Sequence, residues 1–165
     1  MKVMVISDIH GDTKALEKIK NIFIKDEYEK LIILGDIEAN AEISEILTIF
    51  DKKIIIVRGN CDLTIYDKYL PFKPVDIYIN KINDYMCYFA HGNKGMPKIE
   101  FYDKAIYFSG HTHIGSITNY FSIIIANPGS ISRPRNNLKS YIEFNDHSII
   151  LYGLDNKTKI KEYIL

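Results

Sequence analysis

The chain has 165 residues with 21 basic and 21 acidic side chains, so its formal net charge is zero. That balance argues against a dedicated nucleic-acid surface and against membrane-surface binding, since both depend on a basic field. No apolar run approaches the ~18 residues that a membrane span needs.

The composition and length indicate one globular domain over residues 1–165, large enough to bury roughly 70% of its unfolded surface. Two cysteines do not form a disulfide framework. The first residues, MKVMVISDIHG, hold too short an apolar run for a signal peptide. We therefore expect a reduced, cytoplasmic protein.

The first half of the chain alternates short apolar runs with amphipathic helical patterns. The run KVMVIS predicts a strand, and residues 13–25 carry apolar side chains at helical spacing. A second strand, KLIIL, leads to a second predicted helix over residues 41–50, and the strand KIIIVR follows. Two strand–helix–strand units predict parallel pairing with right-handed crossovers.

The second half consists of strand patterns with little room for long helices. After the break YLPFKP, the runs VDIYIN and DYMCYFA flank a short KIND turn and predict a hairpin. The later apolar runs are KAIYFS, SITNYF, SIIIAN, SYIEF, SIILYGL and KIKEYIL. This order predicts an α/β fold with two packed sheets and helices outside them.

Five of the predicted strands end in turns that carry Asp, Asn or His beside a glycine. In chain order these turns are Asp8-Ile9-His10-Gly11, Gly35-Asp36, Gly59-Asn60-Cys61-Asp62, His91-Gly92 and Gly110-His111-Thr112-His113. Each turn alone is explained more readily by a helix cap or a tight bend. Because ligands bind at the carboxyl ends of strands in such sheets, the ordered set of five favours one converging functional site.

The side chains in these turns suit a pair of divalent metal ions. Two carboxylates, four imidazoles and one amide supply oxygen and nitrogen ligands, which fit Mn²⁺, Zn²⁺, Fe or Ni²⁺ better than Ca²⁺. A central carboxylate can bridge two cations ~4 Å apart, and such a pair lowers the pKa of a bridging water.

The ordered motifs D-x-H, GD, GN-x-D, H-G and G-H-x-H resemble those of the calcineurin-like metallophosphoesterase superfamily. VRGNCD and NPGSISRPR resemble its small prokaryotic YfcE-type phosphodiesterase branch. The resemblance implies a four-layer α/β/β/α sandwich of two mixed sheets flanked by helices. The implied ligands are Asp8, His10 and His113 for the first metal, Asn60, His91 and His111 for the second, and Asp36 as the bridge. Asp36, Asn60 and His91 are also expected to serve catalysis.

Residues around these ligands are candidates for substrate contacts or for supporting the site: Arg58, Cys61, Asp62, Ser130 and Arg133. Many family members read GNH where this chain has Asn60-Cys61, and a thiol of pKa ~8.5 donates weakly. Asp62 is expected to orient a ligand, and Ser130 to lie beside the metals.

The arginines leave alternatives open. Arg133 or Arg135 is a candidate for contacting the substrate phosphate. Arg58 either does the same or pairs with a carboxylate. Asn93 stands where relatives often carry a second histidine, and the segment over residues 94–103 looks too short for a full helix.

The predicted activity is hydrolysis of small phosphodiesters by a hydroxide that bridges two cations, with Mn²⁺ the first choice and Ni²⁺, Zn²⁺ or Fe as alternatives. A phosphomonoesterase or a nuclease is the alternative among enzymes. The alternative outside them is a protein-binding scaffold on the same fold, like the retromer scaffold subunit, although every ligand position here carries a ligating side chain. Relatives often form dimers or larger assemblies, so a homo-oligomer is also a candidate.

Overall fold

The structure, a computed structural model, describes residues 1–96, 98, 104–121 and 123–165. The strands in those residues are β1 (Val3–Ile6), β2 (Lys30–Ile33), β3 (Ile54–Ile56), β4 (Ile77–Ile82), β5 (Tyr85–Ala90), β6 (Ala105–Ser109), β7 (Gly115–Tyr120), β8 (Ile123–Pro128), β9 (Ser140–Phe144), β10 (Ser148–Gly153) and β11 (Lys159–Ile164). The α-helices are α1 (Thr13–Lys25) and α2 (Ala41–Thr48), and short 3₁₀ helices span Asp51–Lys53 and Thr64–Tyr69.

The strands form two mixed sheets. The six-stranded sheet has the order β11-β10-β9-β1-β2-β3, in which β1, β2 and β3 run parallel. The five-stranded sheet has the order β4-β5-β6-β8-β7, with β5, β6 and β8 parallel and both edge strands antiparallel. The parallel strands of each sheet therefore bring their carboxyl ends to a common edge.

The two sheets pack face to face across an apolar layer. Alternate residues of β5 and β6 enter it, and the rings of Phe89 and Phe108 stack there with centroids 4.8 Å apart. The other face of the six-stranded sheet packs against α1 and α2. This confirms the predicted α/β fold of two mixed sheets flanked by helices, with both described α-helices on the side of the six-stranded sheet.

Helix α1 begins and ends at the predicted residues. The Asp12 carboxylate accepts a hydrogen bond from the Ala15 N–H, which satisfies an otherwise unpaired donor at the helix start. Helix α2 ends at Thr48, two residues before the predicted end. The chain there turns into the 3₁₀ helix that begins at Asp51, whose φ of 47° is incompatible with a continuing α-helix.

The hairpin of β4 and β5 is confirmed, with a tighter turn than predicted. Ile82 pairs with Tyr85, so only Asn83 and Asp84 connect the strands. Asn83 has a φ of 56°, as two-residue hairpin turns require, and Asn tolerates this conformation well. The prediction for residues 94–103 falls largely outside the described residues. Across the described ranges, no helix has the length and apolar character to cross a bilayer.

Candidate metal centre

The turns after β1, β2, β3, β5 and β6 meet at one end of the two sheets. The Asp8 N–H donates to the Gly35 carbonyl at 3.1 Å, and the Gly110 N–H donates to the His91 carbonyl at 2.9 Å. The two sheets are joined at this end as well, because the His111 N–H donates to Asp8 Oδ2 at 3.1 Å. The convergence expected from strand order is therefore present.

One group of ligand atoms comes from Asp8, His10, Asp36 and His113, and all of its atoms lie within 4.8 Å of one another. His113 Nε2 is 3.3 Å from Asp8 Oδ1, and His10 Nε2 is 3.9 Å from Asp36 Oδ2. The two imidazoles meet at 3.4 Å between their Nε2 atoms. We call these four residues the first cluster.

A second group, the second cluster, comes from Asp36, His91 and His111 within the same limit of 4.8 Å. His91 Nε2 is 3.3 Å from Asp36 Oδ2 and 3.0 Å from the Asn60 side-chain oxygen. Asp36 belongs to both clusters. The two histidines of the GHTH turn belong to different clusters, His113 to the first and His111 to the second.

The imidazoles are oriented for a cation. The Nδ1 atoms of His91 and His113 contact the carbonyls of Leu34 and Arg133, each at 2.7 Å. A neutral ring that donates through Nδ1 presents a lone pair at Nε2, so lone pairs and carboxylate oxygens face one another in the clusters. Such an arrangement needs a proton or a cation between its members. Divalent metal ions fit the site on this ground.

The first carboxylate supports the same conclusion. Asp8 is fully buried, and its Oδ1 atom has no hydrogen-bond partner among the described residues. Burial raises the pKa of Asp8, since a buried charge loses its hydration, and a hydrogen bond from Ser7 and the nearby His113 only partly offset this. A bound cation would supply the missing partner for Oδ1.

The pKa of Asp36 shifts in the opposite direction to that of Asp8. Burial alone would raise its pKa, but a hydrogen bond from His91, when that ring is also protonated at Nε2, and one from the Cys61 N–H outweigh burial and lower the pKa well below the usual range for Asp. The Cys61 N–H lies 2.8 Å from Asp36 Oδ1. Asp36 is therefore ionised at neutral pH and can serve both clusters as an anionic ligand.

The backbone of the site lies in a conformation that residues other than glycine seldom adopt. Five cluster residues have φ between 46° and 66°: Asp8, His10, Asp36, His111 and His113. Each such residue costs about 1–3 kcal/mol and persists only where the surrounding structure enforces it. Concentration of this strain in the clusters is typical of a functional site.

Two glycines permit the close approach of the turns. A Cβ atom at Gly59 would lie 2.1 Å from Asp36 Oδ1, and a Cβ atom at Gly110 would lie 1.9 Å from the Ser7 hydroxyl oxygen. Both distances are far inside van der Waals contact. Glycine is therefore required at the ends of β3 and β6 for a steric reason.

Asp62 lies behind the clusters and holds the turn after β2. One carboxylate oxygen accepts from the N–H groups of Asp36 and Gly59, each at 2.8 Å. The other accepts from Ile37 at 2.7 Å and from Glu38 at 3.1 Å. Asp62 thus fixes the backbone of the turn that carries Asp36, and its role in orienting a metal ligand stays a prediction.

Arg58 adopts the second of its two predicted alternatives. Its guanidinium donates to the Asp67 carboxylate at 2.7 Å and to the Asp62 carbonyl at 2.9 Å. The partner Asp67 comes from the 3₁₀ helix Thr64–Tyr69, which no periodicity in the sequence indicated. Arg58 thus braces the turn after β3.

Ser130 and Arg133 lie beside the first cluster. The Ser130 hydroxyl donates to the Asp8 carbonyl at 2.8 Å and accepts from the Arg133 N–H at 2.8 Å. The Arg133 carbonyl contacts His113, whereas the arginine residue itself is exposed. Ser132, which the sequence did not single out, also donates to the Asp8 carbonyl at 2.9 Å.

Cys61 and Asn60 are neighbours in the turn after β3, but Asn60 contacts His91 of the second cluster, whereas the Cys61 sulfur lies within 4.8 Å of ligand atoms of His10 and Glu38. The Asn60 side-chain amide donates to the Cys61 sulfur at 3.3 Å. Burial, followed by a hydrogen bond to Asp36, raises the pKa of the Cys61 thiol to about 11. The thiol is therefore protonated at neutral pH.

Glu38 is a site residue that sequence reasoning missed. Its Oε1 atom lies 2.9 Å from His10 Nδ1. The only sequence signal was its position two residues after Asp36, and that spacing carries no meaning until the turn geometry is known.

Comparisons with known proteins agree with this site. Over residues 1–146 the chain matches the Calcineurin-like phosphoesterase superfamily domain. It is 31% identical to phosphodiesterase YfcE of Escherichia coli, over 91% of this chain and 96% of that protein. It is also 31% identical to a probable metallophosphoesterase of Methanocaldococcus jannaschii, over 88% of this chain and 76% of that protein.

Solved structures show the same relationship. The structure of YfcE, a phosphoesterase from E. coli, matches with a TM-score of 0.92 at 27% identity and covers 99% of this chain and 98% of that one. A single mutant of Vps29 from Entamoeba histolytica shares the fold, with a TM-score of 0.72 at 18% identity over 100% of this chain and 99% of that one. The family match and the converging clusters together show that the chain belongs to the calcineurin-like phosphoesterase superfamily.

Proposed function

We propose that residues 1–165 act as one domain that hydrolyses small phosphodiesters with two divalent cations. The observation that carries this proposal is the position of Asp36, whose ionised carboxylate belongs to both clusters. Strands β10 and β11 extend beyond residue 146, where the family match ends, and complete the sheet that contains β1 and β2. The likeness to YfcE, a phosphodiesterase, supports diesters as the substrate class.

The chemistry follows from the roles of the side chains. When bound, two divalent cations would polarise the phosphoryl oxygens and lower the pKa of a bridging water, which supplies hydroxide near neutral pH. Asp36 carries the negative charge shared by the two positions, and His91 keeps its Nε2 atom aimed there because Leu34 fixes its other nitrogen. Asn60 is exposed at the edge of the second cluster with its side-chain oxygen 3.0 Å from His91 Nε2, and it is the proposed amide ligand of the second cation beside His91 and His111.

The protonation of the leaving group sets a further expectation. His is replaced by Cys61 at the position where many family members carry a proton donor, and a thiol with a pKa of about 11 donates a proton weakly. We therefore infer a preference for substrates with good leaving groups, such as aryl phosphodiesters.

The metal, the location and the assembly are inferred from chemistry. Mixed oxygen and nitrogen ligands favour Mn²⁺, with Ni²⁺, Zn²⁺ or Fe as alternatives, since metal availability also decides occupancy. Both cysteines are free thiols, which suits a reducing cytoplasm. The proposed assembly is a homo-oligomer. The zero net charge of the chain favours a small substrate over nucleic acid.

An activity screen of the chelated protein tests the proposal. The protein is supplied in turn with Mn²⁺, Ni²⁺, Zn²⁺ and Mg²⁺ and assayed on bis-para-nitrophenyl phosphate and on para-nitrophenyl phosphate. We expect diester hydrolysis with Mn²⁺, none with chelator, and a large loss in Asp36→Asn. The exposed hairpin variant Asp84→Asn serves as the matched control and should keep full activity.

Two outcomes would contradict the proposal in different ways. Hydrolysis of the monoester alone would replace the phosphodiesterase with a phosphomonoesterase. Inactivity with every metal on both substrates would favour a protein-binding scaffold on this fold.

A further inference from the structure

His10 differs from the two other histidines whose Nδ1 contacts are described above. His91 and His113 contact backbone carbonyls through Nδ1, whereas His10 contacts the Glu38 carboxylate at 2.9 Å. A hydrogen bond to a carboxylate is roughly twice as strong as one between neutral groups. Of these three rings, His10 alone is therefore oriented by a charged partner.

Glu38 is fixed from its own backbone. Its N–H donates to Asp62 Oδ1 at 3.1 Å, its φ is 50°, and its Oε1 atom reaches His10 in the turn after β1. The Glu38 side chain is 33% exposed while that of His10 is 5% exposed. The carboxylate thus keeps part of its hydration while it holds a buried imidazole.

The two clusters carry unequal negative charge. The first contains the carboxylates of Asp8 and Asp36, and Glu38 stands directly behind its His10 ring. The second contains Asp36 only, and the neighbouring Asn60 is neutral. A cation in the first cluster would therefore lie beside two carboxylates, with the Glu38 carboxylate on the other side of the His10 ring, whereas one in the second cluster would lie beside Asp36 alone.

We propose that Glu38 is a positioning residue that makes the first cluster the tighter of two cation sites. It holds the His10 ring in place and increases the basicity of Nε2, as carboxylates do when they accept from a metal-ligating histidine. Loss of such a partner typically lowers metal affinity by about 10–100-fold. The inference rests on the two-cation site proposed above and assigns an order to its filling.

Calorimetric titration of the chelated protein with Mn²⁺ alone tests the inference. We expect two binding events in the unchanged protein. Glu38→Ala should weaken the tighter event by about 10–100-fold and leave the weaker event unchanged. Glu38→Gln keeps an acceptor without the charge, so its tighter event should fall between those of the unchanged protein and Glu38→Ala.

The control is Glu45→Gln on the exposed face of α2, which removes the same charge without touching the site. It should leave both events unchanged, so a general effect of net charge is separated from the contact with His10. Thermal unfolding of each variant in chelator checks that a changed affinity does not reflect partial unfolding.

The possible results distinguish an error in the positioning role of Glu38 from an error in the proposed two-cation site. If the unchanged protein binds no Mn²⁺, the two-cation site itself is wrong. If it binds two ions and the Glu38 variants match it, or lose both events equally, the positioning role is wrong. A third event lost only in the Glu38 variants would also overturn that role, because Glu38 would then be a ligand in its own right.

Discussion

Replacing Asp62 by Asn should destabilise the protein even without metal. The buried Asp62 carboxylate accepts four backbone hydrogen bonds, two at each oxygen. An amide has one oxygen, so in either orientation two N–H groups would face an NH₂ group and lose their acceptor. The perturbation is isosteric, which leaves the packing of the turn unchanged.

The magnitude follows from those lost bonds. Hydrogen bonds to charged groups contribute about 1.5–3 kcal/mol each, so losing two costs about 3–6 kcal/mol. That is a large share of the ~5–15 kcal/mol by which native domains are stable. At ~2–4 °C per kcal/mol for a chain of this size, the midpoint of thermal unfolding should fall by about 6–24 °C.

Urea and thermal unfolding in chelator measure this loss directly. Asp84→Asn, at the exposed hairpin turn, is the matched control and should change stability little. A loss below ~1 kcal/mol in Asp62→Asn would refute the reasoning, because one ordinary hydrogen bond contributes that much.

Three further predictions concern Gly59, Tyr28 and Cys61. In Gly59→Ala the new Cβ would lie 2.1 Å from Asp36 Oδ1, so Asp36 must move. Diester turnover should therefore fall about 100-fold, and unchanged turnover would contradict the steric argument. Tyr28→Phe removes a buried hydrogen bond of 2.7 Å to Glu143. The free energy of unfolding in urea should fall by about 1.5–3 kcal/mol while activity is kept. An unchanged free energy of unfolding would mean that the bond contributes nothing to stability. Hydrolysis rates over a series of diesters should fall steeply as the pKa of the leaving group rises. Cys61→His should make the rate depend less on that pKa. Rates of the unchanged protein that do not depend on the leaving-group pKa would contradict the lack of a proton donor.

Much of the fold could be predicted because its signals are local. The apolar spacing of residues 13–25 and a polar cap at Asp12 define α1, and both act within a few residues. The 3₁₀ helix Thr64–Tyr69 gave no such signal, because a run of six residues is too short to show a period. The end of α2 depended on the positive φ of Asp51, which Asp adopts only in some contexts.

The residues of the site also fall into those that the sequence predicts and those that it does not. Its cluster residues could be predicted because strand ends in parallel sheets converge, and the structure brings all of them together. Glu38 and the Asp67 partner of Arg58 could not, since each contact depends on turn geometry rather than on strand order. The positive φ values of Asp36 and Glu38 redirect side chains in a way that no alternation rule anticipates.

Anomalous diffraction from crystals grown with Mn²⁺ tests the central claim most directly. We predict two peaks about 3.5–4 Å apart, with Asp36 between them. One should lie against Asp8, His10 and His113, and the other against Asn60, His91 and His111. Absence of manganese from this end of the sheets, or a single peak that Asp36 does not contact, would contradict the account.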